Sequence, residues 1–195
     1  MAKRIAIVLG HPDPDAGTYC HALAHAYEIG AREAGHEVAR VDVASLDFKL
    51  LRTKTDYEAG AAPAALIPSQ QALAAADHWV VIYPLWLGTM PALLKGFLEQ
   101  VLRPGYAYRG PAMGSGFRKL MAGKSARIVI TMGMPALVYR WFFRAHSLKS
   151  LERNILGFVG IGPIRESLIG LVEAGNDGRR KRWLDRMRAL GRRGV

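Results

Sequence analysis

The sequence predicts an α/β fold: a doubly wound three-layer sandwich with a central five-stranded parallel sheet. Three observations predict it. Short apolar runs recur without polar alternation, as strands covered on both faces require. Stretches of helical spacing separate those runs. The 195 residues suffice for a core on both sides of one sheet, so residues 1–195 are read as a single domain.

Ile5–Leu9 is a continuous apolar run ending at Gly10 and reads as the first strand. Thr18 to Ala34 carries Leu23, Tyr27 and Ala31 on one helical face, with Gly35 as its stop. Glu37–Val43 alternates Val38, Val41 and Val43 and reads as the second strand. Residues 44–66 read as a long irregular loop, and Ser69–Ala76 as a short helix. Trp79–Tyr83 is the third strand, followed by a helix from Pro91 to Val101 with proline in its first turn. Residues 103–124 read as a Gly-rich loop, and Arg127–Thr131 as the fourth strand. Val138 to Leu156 reads as a helix and Ile164–Leu171 as the fifth strand, and Asn176 or Asp177 caps the last helix.

In such folds a ligand sits beyond the carboxyl ends of the strands, where strand order reverses. That rule selects the loops 10–18, 84–90 and 132–139. The first opens a helix, whose unpaired N–H groups and partial positive charge suit a phosphate; Thr18 and His11 add donors. Asp13 and Asp15 oppose an anion there unless they point away. The second, Pro84-Leu85-Trp86-Leu87-Gly88, sets aromatic and apolar groups at a strand end, where a planar ring system would lie, and Gly88 permits close backbone approach. The third, Thr131-Met132-Gly133-Met134, could turn backbone N–H groups toward a ring that becomes negative on reduction, with Tyr139 and His146 placed to move a proton.

Charge and composition narrow the class. Net charge is +11, but residues 179–195 hold eight basic residues against one acid. We read that tail as the solvated face of a helix whose buried stripe is Trp183, Leu184, Met187 and Leu190, with no nucleic acid as partner. Contact of this basic helix with an anionic membrane surface is the alternative. No apolar run reaches the length of a bilayer span, Ile5–Leu9 is too short for a signal peptide, and the lone Cys20 excludes an intrachain disulfide, so a cytoplasmic setting is expected. Gly123-Lys124-Ser125 precedes a strand and lacks the upstream glycine of a phosphate-binding P-loop. His21 and His25 share helical spacing but lack a third ligand, so no metal is expected, and Cys20 reads as structural.

Together, Pro84-Leu85-Trp86, Pro91-Ala92-Leu93-Leu94-Lys95-Gly96, Gly105-Tyr106-Ala107-Tyr108, Gly10-His11-Pro12 with Thr18-Tyr19, and Thr131-Met132-Gly133 carry a resemblance over nearly the whole chain. It resembles the flavodoxin-like NAD(P)H:quinone oxidoreductases, which include mammalian quinone reductase, the bacterial modulator-of-drug-activity proteins and the ancillary flavoproteins of potassium-efflux systems. The resemblance implies non-covalent FAD or FMN, NAD(P)H as co-substrate, a quinone or similar small-molecule acceptor, and a homodimer. It implies that His11 and Thr18 hold the flavin phosphate with Tyr19 beside them. It implies that Pro84, Leu85, Trp86, Leu87 and Gly88 lie along the ring, and that Thr131, Met132, Gly133 and Met134 touch its pyrimidine edge. Tyr139 and His146 would be the catalytic pair, although His146 falls one place out of register, and Met132-Gly133-Met134 departs from the usual Thr-Gly-Gly. An ancillary role beside a membrane transporter, with little catalysis, is the alternative function.

Overall fold

The apolar runs become strands because the sheet is sheathed on both faces. The computed structural model describes residues 1–110, 116–174 and 176–195. In it β1 (Arg4–Leu9), β2 (Glu37–Asp42), β3 (His78–Pro84), β6 (Ser125–Thr131) and β7 (Ile164–Ile169) form one sheet in the order β2-β1-β3-β6-β7. Every pairing is parallel, with Leu9 opposite both Asp42 and Ile82, and Pro84 opposite Thr131. β3 is buried along its whole length, as a central strand covered on both faces must be.

One face carries α1 (Tyr19–Glu33) and α8 (Asp177–Arg193) over Ile5, Ile7, Leu9, Val80 and Ile82. The other carries α3 (Ile67–Ala75), α4 (Ala92–Val101), α5 (Ala136–Trp141) and the segment after it, over Ala6, Val8, Val81 and Tyr83. Alternate strand residues thus feed alternate cores, which is the period of 2 at work. The predicted α/β class and its doubly wound parallel sheet are what the chain forms.

Four expectations need correction. Residues 44–66 contain a helix, α2 (Lys54–Ala59), because Thr53 accepts the Asp56 N–H at 3.0 Å and caps it. Within the predicted loop 103–124, β4 (Tyr108–Arg109) pairs antiparallel with β5 (Arg118–Lys119); residues 111–115 of that loop lie outside the described residues. The helix predicted over Val138–Leu156 is broken. α5 ends at Trp141, Arg144 and Ala145 turn left-handed, and the chain resumes as α6 (His146–Lys149), a π-helical stretch (Ser150–Leu156) and α7 (Gly157–Val159). β7 stops at Ile169, two residues early, because Leu171 adopts φ 57°.

The basic tail is a docked helix. Asn176 accepts the Arg179 N–H at 2.9 Å and starts α8. Met187 and Leu190 are buried, and Trp183 and Leu184 are half-buried beside them. Part of the charge is answered locally: Glu33 of α1 receives both Arg188 and Arg192, which hold its carboxyl below the usual range. The two helices touch through glycines. A Cβ on Gly30 would run into the Arg188 carbonyl, and one on Gly191 into the Tyr27 carbonyl. Gly30→Ala therefore sets a helix-propensity gain of about 1 kcal/mol against a backbone clash that side-chain rotation cannot relieve. The clash wins, and we expect a net loss of about 1–3 kcal/mol in urea unfolding. An unchanged or raised midpoint would mean that α8 shifts freely on α1.

Candidate functional site

Strand order reverses between β1 and β3, so the loops that leave these strands part and open a crevice at the carboxyl edge. Gly10 N–H bonds the Ile82 carbonyl at 2.7 Å and ties the first loop to β3. His11 Nδ1 lies 3.1 Å from the Asp13 amide nitrogen and 3.3 Å from the Asp13 carbonyl, so one side of the ring is held by its own loop. Asp13 and Asp15 do not oppose an anion in the way their charge suggested. Each turns its carboxylate onto its own loop, Asp13 accepting Asp15 N–H and Asp15 accepting Gly17 N–H, both at 2.9 Å. Helix α1 then starts with no side-chain cap and no acid in its first turn, although Thr18 stands at the N-cap position. Its first amides and partial positive charge are directed at the crevice.

Across the crevice the chain turns tightly. Trp86 and Thr89 exchange both backbone hydrogen bonds, at 2.9 and 3.0 Å, around Leu87 (φ 45°) and Gly88 (φ 78°). Two consecutive positive φ angles define a type I′ turn. Glycine suits its place; leucine in the left-handed region costs about 1 kcal/mol. Leu87 is nevertheless fully exposed, and Trp86 is 51% exposed. The Trp86 ring stands edge-on to His11, 6.1 Å between centroids, so the aromatic turn and the first loop face one another. Pro84 is buried at the end of β3, and Leu85 donates its N–H to the Thr131 carbonyl at 2.7 Å.

The third loop contributes less than its sequence suggested. Thr131 and Met132 are core residues: Thr131 Oγ1 lies 3.3 Å from Cys20 Sγ, and Met132 N–H is committed to the Ile169 carbonyl at 2.9 Å. Only Gly133 and Met134 reach the surface. Tyr139 is buried, its hydroxyl 2.6 Å from Ser147 Oγ and accepting the Leu148 N–H at 3.1 Å, so its phenol is turned inward and braces the broken helix. The structure pairs it with Ser147, the residue after His146; His146 itself is exposed at the start of α6. Tyr19 also turns away, its hydroxyl donating to the Arg180 carbonyl of α8 at 3.3 Å. Burial pushes the Cys20 thiol up to about 11, against any lowering by the helix terminus.

Two features escaped sequence reasoning. His21 is buried between Thr18 and Asp42, its Nδ1 2.6 Å from Thr18 Oγ1 and its Nε2 3.3 Å from Asp42 Oδ2, whereas His25 is exposed. The i, i+3 spacing of Thr18 and His21 was a visible signal; the approach of Asp42 depends on the β1–β2 register. The second is a cavity of about 380 Å³ on the outer flank of α4, walled by Tyr57, Leu98, Leu102, Tyr108 and Phe158. The Tyr57 and Tyr108 hydroxyls meet at 2.9 Å, and the Tyr108 and Phe158 rings pack edge-to-face at 4.9 Å.

A family model described as a flavodoxin-like fold, Flavodoxin_2, matches residues 3–190. The chain belongs to this family. It is 26% identical to an uncharacterized NAD(P)H oxidoreductase of Haemophilus influenzae, over 92% of this chain and 89% of that one. The solved NAD(P)H:quinone oxidoreductase of Methanothermobacter marburgensis superposes with a TM-score of 0.81 at 26% identity, covering 98% of this chain and 96% of that one. A potassium-efflux ancillary protein, KefG of Escherichia coli, is 43% identical over 77 residues, but the match spans only 38% of each chain.

Because Leu87 is strained and exposed, Leu87→Gly should leave folding stability unchanged or raise it by up to about 1 kcal/mol, measured by chemical denaturation. A loss above about 1 kcal/mol would mean that the turn is held by packing of Leu87 and is not a preformed ligand wall.

Proposed function

We propose that this oxidoreductase passes two electrons from NAD(P)H, through FAD or FMN held at the carboxyl edge of its sheet, to a quinone or similar small-molecule acceptor. The observation that carries the reading is the facing pair just described: an uncapped helix N-terminus with no acid in its first turn, and an exposed Trp86–Leu87 wall, with His11 and Trp86 6.1 Å apart. One side suits a phosphate and the other a large planar ring, which is the donor set a flavin nucleotide asks for. When bound, the flavin supplies the redox chemistry, accepting hydride from the nicotinamide and returning two electrons to the acceptor.

The chain's own residues bind, orient and shield. The first amides of α1 and the His11 ring hold the phosphate. Trp86 and Leu87 cover one face of the ring and exclude water from it. Gly133 admits the ring edge closely, and Met134 flanks it. Of the catalytic pair expected from the resemblance, Tyr139 is not used in this reading, because its phenol is already engaged with Ser147 and Leu148, and His146, exposed at the start of α6, is assigned no role.

The same reading accounts for an uncovered apolar surface. Leu137, Val138, Trp141, Phe142 and Phe143 of α5 and its exit are all more than 40% exposed, a larger apolar patch than a lone chain usually leaves in water. A second copy of the chain is the occupant we propose, giving a homodimer. Sedimentation should then return twice the 21.4 kDa chain mass, and Trp141→Asp should return the single mass. A monomeric wild type contradicts the dimer.

Flavin titration of the purified protein, followed by NADH or NADPH oxidation with a soluble quinone, tests the main reading. FMN or FAD should bind and sustain turnover, and Trp86→Ala should weaken binding about tenfold, worth about 1.4 kcal/mol, without unfolding. Failure of both flavins to bind overturns the reading. Binding without turnover favours the ancillary role, toward which the KefG similarity points.

A further inference from the structure

We infer that His21, held by Asp42, sets the direction of the Thr18 hydroxyl proton and thereby couples phosphate capture in the first loop to uptake of one proton. The inference rests on the reading of that loop as a flavin-phosphate cradle. Thr18 stands at the N-cap of α1 with φ −70° and ψ 150°, the geometry of a capping residue, yet its side chain caps no amide. Its Oγ1 is drawn instead to His21 Nδ1, 2.6 Å away. The other ring nitrogen, Nε2, lies 3.3 Å from Asp42 Oδ2. His21 is 5% exposed. Among the described residues, neither Nε2 nor Asp42 Oδ1 has a hydrogen-bond partner of good geometry, so these two buried atoms are only loosely satisfied.

The consequence follows from donor and acceptor bookkeeping. A carboxylate beside Nε2 favours a proton on that nitrogen. In the neutral ring Nδ1 is then an acceptor, and the Thr18 hydroxyl must donate to it. Thr18 so presents lone pairs to whatever arrives at the uncapped end of α1, and lone pairs repel a phosphate. A proton taken from solvent onto Nδ1 reverses the bond. Nδ1–H now donates to Oγ1, and the hydroxyl proton rotates away to donate to a phosphate oxygen. Thr18 keeps its proton throughout. The imidazolium formed is stabilised by Asp42 on one side and by the bound phosphate on the other. The titratable groups facing His21 are Asp42 from β2 and His11 from the first loop, whose ring centroid is 6.2 Å away. The carboxylates of Asp13 and Asp15 are turned onto their own loop amides. His21 touches no ligand in this scheme; it is a positioning residue that acts through Thr18.

The sign is set by the proton uptake. Phosphate binding is strong where His21 is protonated and weakens as pH rises through its midpoint in the complex, by up to about tenfold per pH unit. The test is long-range ¹⁵N–¹H correlation spectroscopy of the imidazoles in the wild-type protein, alone and saturated with FMN, FAD or riboflavin, which lacks the phosphate. Work above pH 7 keeps the FMN phosphate, whose second ionisation lies near pH 6, in its dianionic form. Neutral His21 should be the Nε2–H tautomer. A phosphorylated flavin should move its titration midpoint up by about one pH unit or more, and riboflavin should leave it in place. Affinity for the phosphorylated flavin should fall with pH more steeply than affinity for riboflavin. His21→Gln should retain binding but lose that excess slope. The wild-type spectra decide the matter even if the variant does not fold. An Nδ1–H tautomer in the free protein, or a midpoint indifferent to a bound phosphorylated flavin, overturns the coupling and leaves the flavin site standing. Absence of FMN and FAD binding overturns both.

Discussion

The reversal of strand order between β1 and β3 is the constraint on which the rest of the molecule depends. From β1 the chain builds outward to β2 on one side, and from β3 it builds through β6 to β7 on the other. Connections leaving neighbouring parallel strands toward opposite faces cannot fill the space between their exits, so a crevice is built into the topology. The chain fixes the crevice walls with backbone hydrogen bonds: Gly10 N–H to Ile82, Leu85 N–H to Thr131, and Met132 N–H to Ile169. Each bond joins the end of one strand to its neighbour, so the three loops are registered against one another before any ligand arrives. The buried, largely apolar sheet interior is what makes that registration stiff.

What faces the crevice departs from what a folded protein ordinarily tolerates. The first helix begins without a cap, a leucine occupies a left-handed position in full exposure, and a tryptophan stands half out of the surface. Each feature costs stability, and they converge on one place. The same logic covers the Thr18–His21–Asp42 chain, where a hydroxyl that would stabilise α1 as a cap is diverted into a polar relay through the buried His21.

Much of this was legible in the residues. Uninterrupted apolar runs such as Trp79–Tyr83 can be little else than strands buried on both faces, and the rule for parallel sheets then leads straight to the loops at residues 10, 84 and 132. Local irregularity was harder to read. Thr53 is an ordinary N-cap residue, but α2 is only six residues long and its periodicity is lost among alanines. The break after Trp141 comes from left-handed Arg144 and Ala145, residue types that give no warning of such a conformation. Tyr139 illustrates the deeper limit. Its spacing from Thr131 fits the resemblance, but whether its hydroxyl meets a ligand or Ser147 depends on where the broken helix folds back. Asp42 likewise becomes a partner of His21 only through the pairing of β1 with β2.

The proposed site places a flavin nucleotide in the crevice with its phosphate at the start of α1 and its ring along the Trp86–Leu87 turn. A crystal structure of the protein grown with FMN or FAD tests this most directly. Phosphate oxygens should lie within hydrogen-bond distance of the Thr18 hydroxyl and the first amides of α1, and the ring against Trp86 and Leu87. A flavin seated instead in the cavity between Tyr57, Tyr108 and Phe158, with the crevice filled only by water, would contradict it.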